Sequence, residues 1–248
     1  FSFARSNREP TRSDYESNPN IRSEQLNDFE LGWSLTKKKF NVTTNFYMMQ
    51  YKDQLVLTGS IDDVGTPVRE NSGESYRMGL EVETVFNLSD KISILANSAF
   101  SDNKNKNFVT SINGELVNLG KTNISFSPEI VSSVNLLYSP KENMEFSILN
   151  KYVGEQYMSN TDSVFSKLDA YSVLDFNFNY NFKNTFFFSE IVLSAIVSNL
   201  FGTEYVSNGY YYTYDDTWSD PNSVTTIEGT GYYPQATRNY LLGFKFKL

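Results

Sequence analysis

Apolar side chains recur at every second position through most of this 248-residue chain. Phe29, Leu31, Trp33 and Leu35 alternate with Asp28, Glu30, Gly32 and Ser34. Tyr76, Met78, Leu80, Val82, Thr84 and Phe86 alternate with Arg77, Gly79, Glu81 and Glu83. The same rhythm carries Leu174, Phe176, Phe178, Tyr180 and Phe182, and it closes the chain with Tyr240, Leu242, Phe244, Phe246 and Leu248. Successive side chains of a strand point to opposite faces, so this pattern specifies strands with one apolar and one polar side. No segment holds a helical period, and none approaches the roughly 18 apolar residues of a membrane-spanning helix. The chain is predicted to be all-β, with about ten strands.

The connections between these strands alternate in length. Short polar turns are predicted at Thr36–Lys39, Asn87–Lys91, Ser139–Asn143 and Lys183–Thr185. Long, irregular stretches are predicted at Ser6–Arg22, Gln54–Ser75, Asp102–Pro128, Ser159–Ala170 and Phe201–Pro234. Every short turn then falls at one end of the strands and every long loop at the other. A soluble sandwich has no reason to sort its loops this way; an antiparallel up-and-down barrel in an outer membrane does, with short periplasmic turns and longer outward loops. A closed sheet pairs every backbone N–H and C=O inside hydrocarbon, so its strands can span with only every second residue apolar. The expected fold is a transmembrane β-barrel whose apolar faces meet outer-membrane lipid. Trp33, Phe40, Phe86, Tyr138, Phe146, Phe182 and Phe246 lie near the short-turn end and are predicted to form a lipid-facing aromatic girdle. The short turns also carry lysine: Lys37, Lys38, Lys39, Lys91, Lys141 and Lys183.

Composition narrows the chemistry. The chain has 20 Phe, 17 Tyr and 2 Trp, yet its mean hydropathy is −0.42, as one-faced strands require. With no His and no Cys there is no Ser-His-Asp triad, thiol nucleophile, imidazole ligand or disulfide framework. A net charge of −8 without a basic run disfavours nucleic acid as a partner. The pairs Glu81/Glu83 and Asp28/Glu30 share a strand face but are read as solvated lumen carboxylates. No catalytic residues, cofactor or metal site are expected. Asp215, Asp216 and Asp220 lack the spacing and glycine of a calcium loop, and Gly229 and Gly231 read as loop punctuation. The most informative loop is the last, where Tyr210, Tyr211, Tyr212, Tyr214 and Trp218 stand among Asp215 and Asp216. These seven residues are the expected ligand contacts, because aromatic rings on a loop offer large contact area at low entropic cost.

Four stretches together resemble TonB-dependent outer-membrane transporters. They are Asn7-Arg8-Glu9-Pro10-Thr11-Arg12-Ser13-Asp14-Tyr15, Lys151-Tyr152-Val153-Gly154-Glu155-Gln156-Tyr157, Val197-Ser198-Asn199-Leu200-Phe201-Gly202-Thr203-Glu204-Tyr205 and Tyr232-Tyr233-Pro234-Gln235-Ala236-Thr237-Arg238-Asn239. The resemblance implies that residues 1–248 are the later part of a 22-stranded barrel in a Gram-negative outer membrane. It implies an N-terminal plug domain outside this chain, in roughly 450 preceding residues. It further implies energisation by TonB–ExbB–ExbD through that plug, a small-molecule ligand and, in some cases, a surface lipoprotein. Such barrels usually end in Phe or Trp, whereas this sequence ends Phe246-Lys247-Leu248. The implied function is energy-dependent uptake of a scarce nutrient, foremost an iron–siderophore or related metal chelate. The alternatives are a self-contained outer-membrane barrel enzyme, an importer of oligosaccharide or peptide, and a soluble β-rich binding module.

Overall fold

The computed structural model describes residues 1–61, 67–185, 187–220 and 222–248. Its strands, in chain order, are β1 (Ser2–Arg8), β2 (Glu24–Lys37), β3 (Phe40–Lys52), β4 (Leu55–Ile61), β5 (Pro67–Asn71), β6 (Glu74–Ser89), β7 (Ile92–Ile112), β8 (Glu115–Asn123) and β9 (Ile130–Lys141). They continue with β10 (Met144–Val153), β11 (Gln156–Tyr157), β12 (Lys167–Leu168), β13 (Tyr171–Thr185), β14 (Phe188–Ser198), β15 (Val206–Asp216), β16 (Thr225–Pro234) and β17 (Asn239–Lys247). The wall is an antiparallel meander in the order β1-β2-β3-β6-β7-β9-β10-β13-β14-β17. Among the described residues this sheet is open, with β1 and β17 at its edges.

Lateral rows show how the alternation is used. Leu31, Phe46, Leu80 and Phe100 face one another in register across four neighbouring strands, and all are exposed, at 58%, 46%, 41% and 47%. One residue along, Gly32, Asn45, Glu81 and Ala99 form the corresponding row on the opposite face. On that polar side a hollow of about 340 Å³ is lined by Glu30, Asn45, Tyr47, Arg77, Glu81 and Asn103, among others. The large apolar side chains of the wall do not meet in a sealed centre. Buried apolar residues gather instead at the long-loop end: Ile21, Leu55, Val56, Phe108, Ile124, Val153, Met158, Leu168 and Tyr211. A sheet that keeps its greasy face exposed, with the buried apolar side chains of the described residues gathered toward one end, is built for a solvent other than water.

Within the wall, Gly79 faces Tyr47 in register, and a Cβ at position 79 would sit 2.6 Å from the Tyr47 hydroxyl and 2.4 Å from the Phe100 carbonyl oxygen. Only glycine admits a ring folded down at that point.

Three short turns fall within the predicted stretches, between β2 and β3, β6 and β7, and β9 and β10; the predicted turn Lys183–Thr185 is instead the end of β13, and its connection to β14 includes residue 186, outside the described residues. Three corrections concern the long loops. They are not irregular throughout: the upper half of β7 with β8 is a hairpin that prolongs the wall, while the β4–β5 and β15–β16 hairpins join in a separate four-stranded sheet, order β16-β15-β4-β5. The Asn113–Gly114 pair makes the β7–β8 turn, both residues adopting positive φ (54° and 77°), as a tight hairpin turn demands. The first loop contains a helix, α1 (Arg12–Ser17), opened by a capping box in which the Thr11 side chain accepts from the Asp14 amide while Asp14 accepts from Thr11. Gly229 and Gly231 are strand residues of β16, not loop punctuation. The centre of the second long loop, residues 62–66, lies outside the described residues.

Asp14 ties α1 to β5. Burial pushes its carboxyl up, but the Thr11 amide and hydroxyl and the Arg69 guanidinium, 3.3 Å away, outweigh that and hold it below the usual carboxylate range. A depressed carboxyl stabilises the fold above its unfolded value of 3.8 and loses that contribution as pH falls through the folded value. Hydrogen-exchange protection factors in residues 11–17, corrected for the intrinsic exchange rate at each pH, are therefore expected to fall on acidification through this range, and Asp14→Asn to remove the transition. Thr11→Ala is expected to cost about 1 kcal/mol of local stability by the same readout.

Candidate functional site

β15 runs up from the wall at the long-loop end and pairs with β16 so that Tyr210 faces Gly231 and Tyr212 faces Gly229. Each ring reaches across onto the facing glycine: a Cβ at 229 would lie 2.2 Å from Tyr212 Cζ, and one at 231 would lie 2.2 Å from Tyr210 Cζ. With that footing the rings form a ladder. Tyr210 and Tyr212 centroids are 6.3 Å apart at 17°, Tyr212 and Tyr214 are 6.4 Å apart at 14°, and Tyr214 and Trp218 are 5.8 Å apart at 3°. Tyr210 and Trp218 remain 50% and 71% exposed. The arrangement presents ring faces and edges of one orientation over four residues, which suits stacking against a flat or apolar ligand surface.

Tyr211 looks the other way. It is buried against Met158 and Leu168, and its hydroxyl donates to Glu228 Oε1 at 2.8 Å. Burial first, and the Glu228 carboxylate second, push its pKa up to about 12, so it stays a neutral donor. The loop it packs on is held by hydrogen bonds to the buried Asn160 and the half-buried Asp162: Ser125 N–H donates to Asn160 Oδ1 at 3.0 Å, and Asn123 N–H to Asp162 Oδ1 at 3.0 Å. Thr230 Oγ1 donates to the Phe165 carbonyl at 2.8 Å, clamping β16 to the same loop.

The two acids beside the ladder serve the scaffold. Asp215 accepts from Ser111 Oγ at 2.9 Å and from Thr226 Oγ1, while Asn113 and Thr226 exchange bonds at 2.7 and 2.9 Å. These contacts latch the tip of the β7–β8 hairpin to β15–β16. Asp216 accepts the Trp218 and Ser219 amides at 3.1 and 3.0 Å, and these bonds with the Ser219 hydroxyl hold its carboxyl below the usual range. Asp220 caps its own turn through Asn222 and Ser223. Among the described residues no group of three or more acids gathers to hold a metal ion.

Of the seven expected contacts, the structure therefore brings together Tyr210, Tyr212, Tyr214 and Trp218. It turns Tyr211 and Asp215 to the opposite face and sets Asp216 to closing the turn. Sequence reasoning missed Gly229 and Gly231, whose spacing of two against Tyr210 and Tyr212 was the available signal. It also missed Ser111, Asn113 and Thr226, which no local pattern marks. A valine at Gly229 is expected to displace the Tyr212 ring and cost about 1–3 kcal/mol of hairpin stability, read as faster exchange of the β15 amides.

At the other end, the aromatic girdle lies together on the apolar face. Phe40 and Phe86 are in register with ring centroids 6.1 Å apart, Tyr138 and Phe146 are 6.0 Å apart, and Phe182 and Phe246 flank Ile191 in neighbouring strands. Trp33 stands opposite Thr44 on the same face, 54% exposed.

A one-faced meander with aromatic residues on its apolar face, short turns at one end and long paired loops at the other is the arrangement of an outer-membrane β-barrel wall. The chain belongs to the TonB-dependent receptor-like β-barrel family, whose family model matches residues 1–200. The family consists of Gram-negative outer-membrane receptors and not of enzymes. No curated protein matches the chain by sequence. Among solved structures, the fold is similar to the copper transporter OprC (TM-score 0.70, 17% identity, 98% of this chain and 36% of that one). It is also similar to the closed form of the ferric-catecholate import receptor Fiu from E. coli K12 (0.65, 16%, 98% and 32%). A third is the siderophore receptor PiuA from Acinetobacter baumannii (0.60, 18%, 90% and 28%). The chain thus spans about a third of the length of these proteins.

Proposed function

We propose that residues 1–248 are the C-terminal part of a 22-stranded TonB-dependent transporter that takes up an iron–siderophore or related metal chelate. The whole protein would carry a plug domain in the preceding sequence, and TonB–ExbB–ExbD would act through that plug. The wall does no chemistry in this reading. Its long-loop end captures the ligand, its polar face borders the route inward, and movement of the plug opens that route; a surface lipoprotein is an optional partner at the loops.

The observation that carries the ligand assignment is the ring ladder Tyr210–Tyr212–Tyr214–Trp218, four aromatic groups presented outside the lipid-facing wall on a braced hairpin. The metal-chelate class is supported by the cargo named for the similar structures, a siderophore, a ferric catecholate and copper. The test is radioiron uptake by the full-length receptor, expressed in cells lacking their own chelate receptors, across a panel of catecholate and hydroxamate chelates. Uptake of at least one chelate that stops when the proton motive force is collapsed is expected. Uptake of oligosaccharide or peptide alone, or uptake that survives loss of the proton motive force, would overturn the reading.

A further inference from the structure

Charge is distributed along the barrel axis in a way that uptake does not require. All seven ion pairs among the described residues lie toward the long-loop end, from Arg12–Glu16 to Lys167–Glu155. The short-turn end holds eight lysines: Lys37, Lys38, Lys39, Lys91, Lys141, Lys183, Lys245 and Lys247. Four acids share it: Asp90, Glu142, Glu145 and Glu190, the last in register with Lys183 and Lys247. This rim is therefore positive by four charges on a chain whose net charge is −8. It is also a continuous rail. The Lys39 carbonyl accepts the Asn87 amide, the Lys91 carbonyl that of Ser139, and the Asn143 carbonyl that of Asn181, at 2.8, 2.8 and 2.9 Å. Lys37, Lys38, Lys39, Lys91 and Lys141 are exposed along it, outside every one of those ion pairs.

Depth decides the partner. Lys37 pairs in register with Phe40 of the expected girdle and Lys39 directly precedes it, so the backbone of these lysines is level with the aromatic belt or within about 3 Å of it along the strand. A bilayer's headgroup layer is roughly 5–8 Å thick on each side. Cations held at that level beside an apolar wall attract anionic headgroups, and long lysine stems reach them readily.

We propose that the lysine rim is a docking surface for anionic phospholipid headgroups of the periplasmic leaflet, centred on Lys37, Lys38, Lys39, Lys91 and Lys141. The rim fixes the barrel's depth and selects its boundary lipid. The test uses the full-length receptor in bilayers of phosphatidylcholine containing spin-labelled phosphatidylglycerol or spin-labelled phosphatidylcholine, with the relative association of the two lipids as readout. A preference for phosphatidylglycerol of roughly several-fold at low salt, fading toward parity at high salt, is expected. Lys37→Gln/Lys38→Gln/Lys39→Gln is expected to cut that preference at least about twofold, and Lys104→Gln/Lys106→Gln, at the far end, to leave it unchanged. The neutral substitutions keep the variant assembled; heat-modifiable mobility on gels verifies this. Equal association of both lipids with the unaltered receptor would overturn the proposal. So would a triple variant that keeps full lipid preference but loses energised uptake, which would give the rim to a periplasmic protein instead.

Discussion

Leu80→Arg is expected to destabilise the folded barrel by about 2–4 kcal/mol in lipid, whereas Glu81→Arg, its neighbour in sequence, leaves stability within roughly 1 kcal/mol. Leu80 lies midway along β6 between Tyr76 and Phe86, in the exposed apolar row with Leu31, Phe46 and Phe100. An arginine there would place its charge near the bilayer midplane with no acid within its row. Glu81 lies on the polar face, where Asn45 donates to it at 3.5 Å, so a charge at that position meets polar surroundings. Reversible denaturation of the full-length receptor in lipid, followed by tryptophan emission, measures both. Equal costs at 80 and 81 would mean that the two faces see the same solvent.

Tyr212→Ala/Tyr214→Ala is the second large effect. Each ring contact is worth about 0.5–1.5 kcal/mol beyond its buried area, so losing two is expected to weaken chelate binding by about 1–3 kcal/mol, roughly 5- to 150-fold in Kd. The substitutions leave the opposite face, with its Tyr211–Glu228 bond and its contacts to Met158 and Leu168, in place. Tyr211→Phe is the matched control: it removes a hydrogen bond worth about 1 kcal/mol of local stability and spares affinity. Titration of the assembled receptor with a transported ferric chelate gives both values. An unchanged Kd in the double variant would remove the ladder from the binding site while leaving the transporter assignment standing.

The difference between those tyrosines marks where sequence stops being readable. Along β2, β6 and β13 one face meets lipid and the other a polar interior, so every second residue reports its environment and the strands can be read off the chain. Above the membrane that contrast disappears. In the upper part of β7, Asp102, Lys104 and Lys106 on one face alternate with Asn103 and Asn105 on the other, and both sets are polar. The β7–β8 hairpin consequently looks like loop, although Asn113–Gly114 marks its turn. In β15 the alternation survives, but the strand belongs to a separate sheet and its pairing with β16 is irregular between Val206 and Asn208, so the phase of the wall does not carry over to it. The cluster of tyrosines was visible; which of them share a face was not.

The partners of Asp215 and Asp216 were illegible for a different reason. Beside exposed rings the two acids read as ligand-directed charge, yet Asp215 is taken up by Ser111, 104 residues away, and Asp216 by its own turn. Long-range hydrogen bonds of this kind leave no local pattern. The same holds for Asp14, whose partner Arg69 belongs to another loop.

The central claim is that the even-numbered face of β6 meets acyl chains and the odd-numbered face lines an interior. The most direct measurement is a nitroxide scan of positions 78 and 80–84 in the full-length receptor in lipid, comparing collisions with molecular oxygen, which concentrates in hydrocarbon, and with a water-soluble nickel complex. The account predicts a strict two-residue alternation, oxygen dominating at Met78, Leu80, Val82 and Thr84 and nickel at Glu81 and Glu83. The opposite phase, or no alternation, would contradict it.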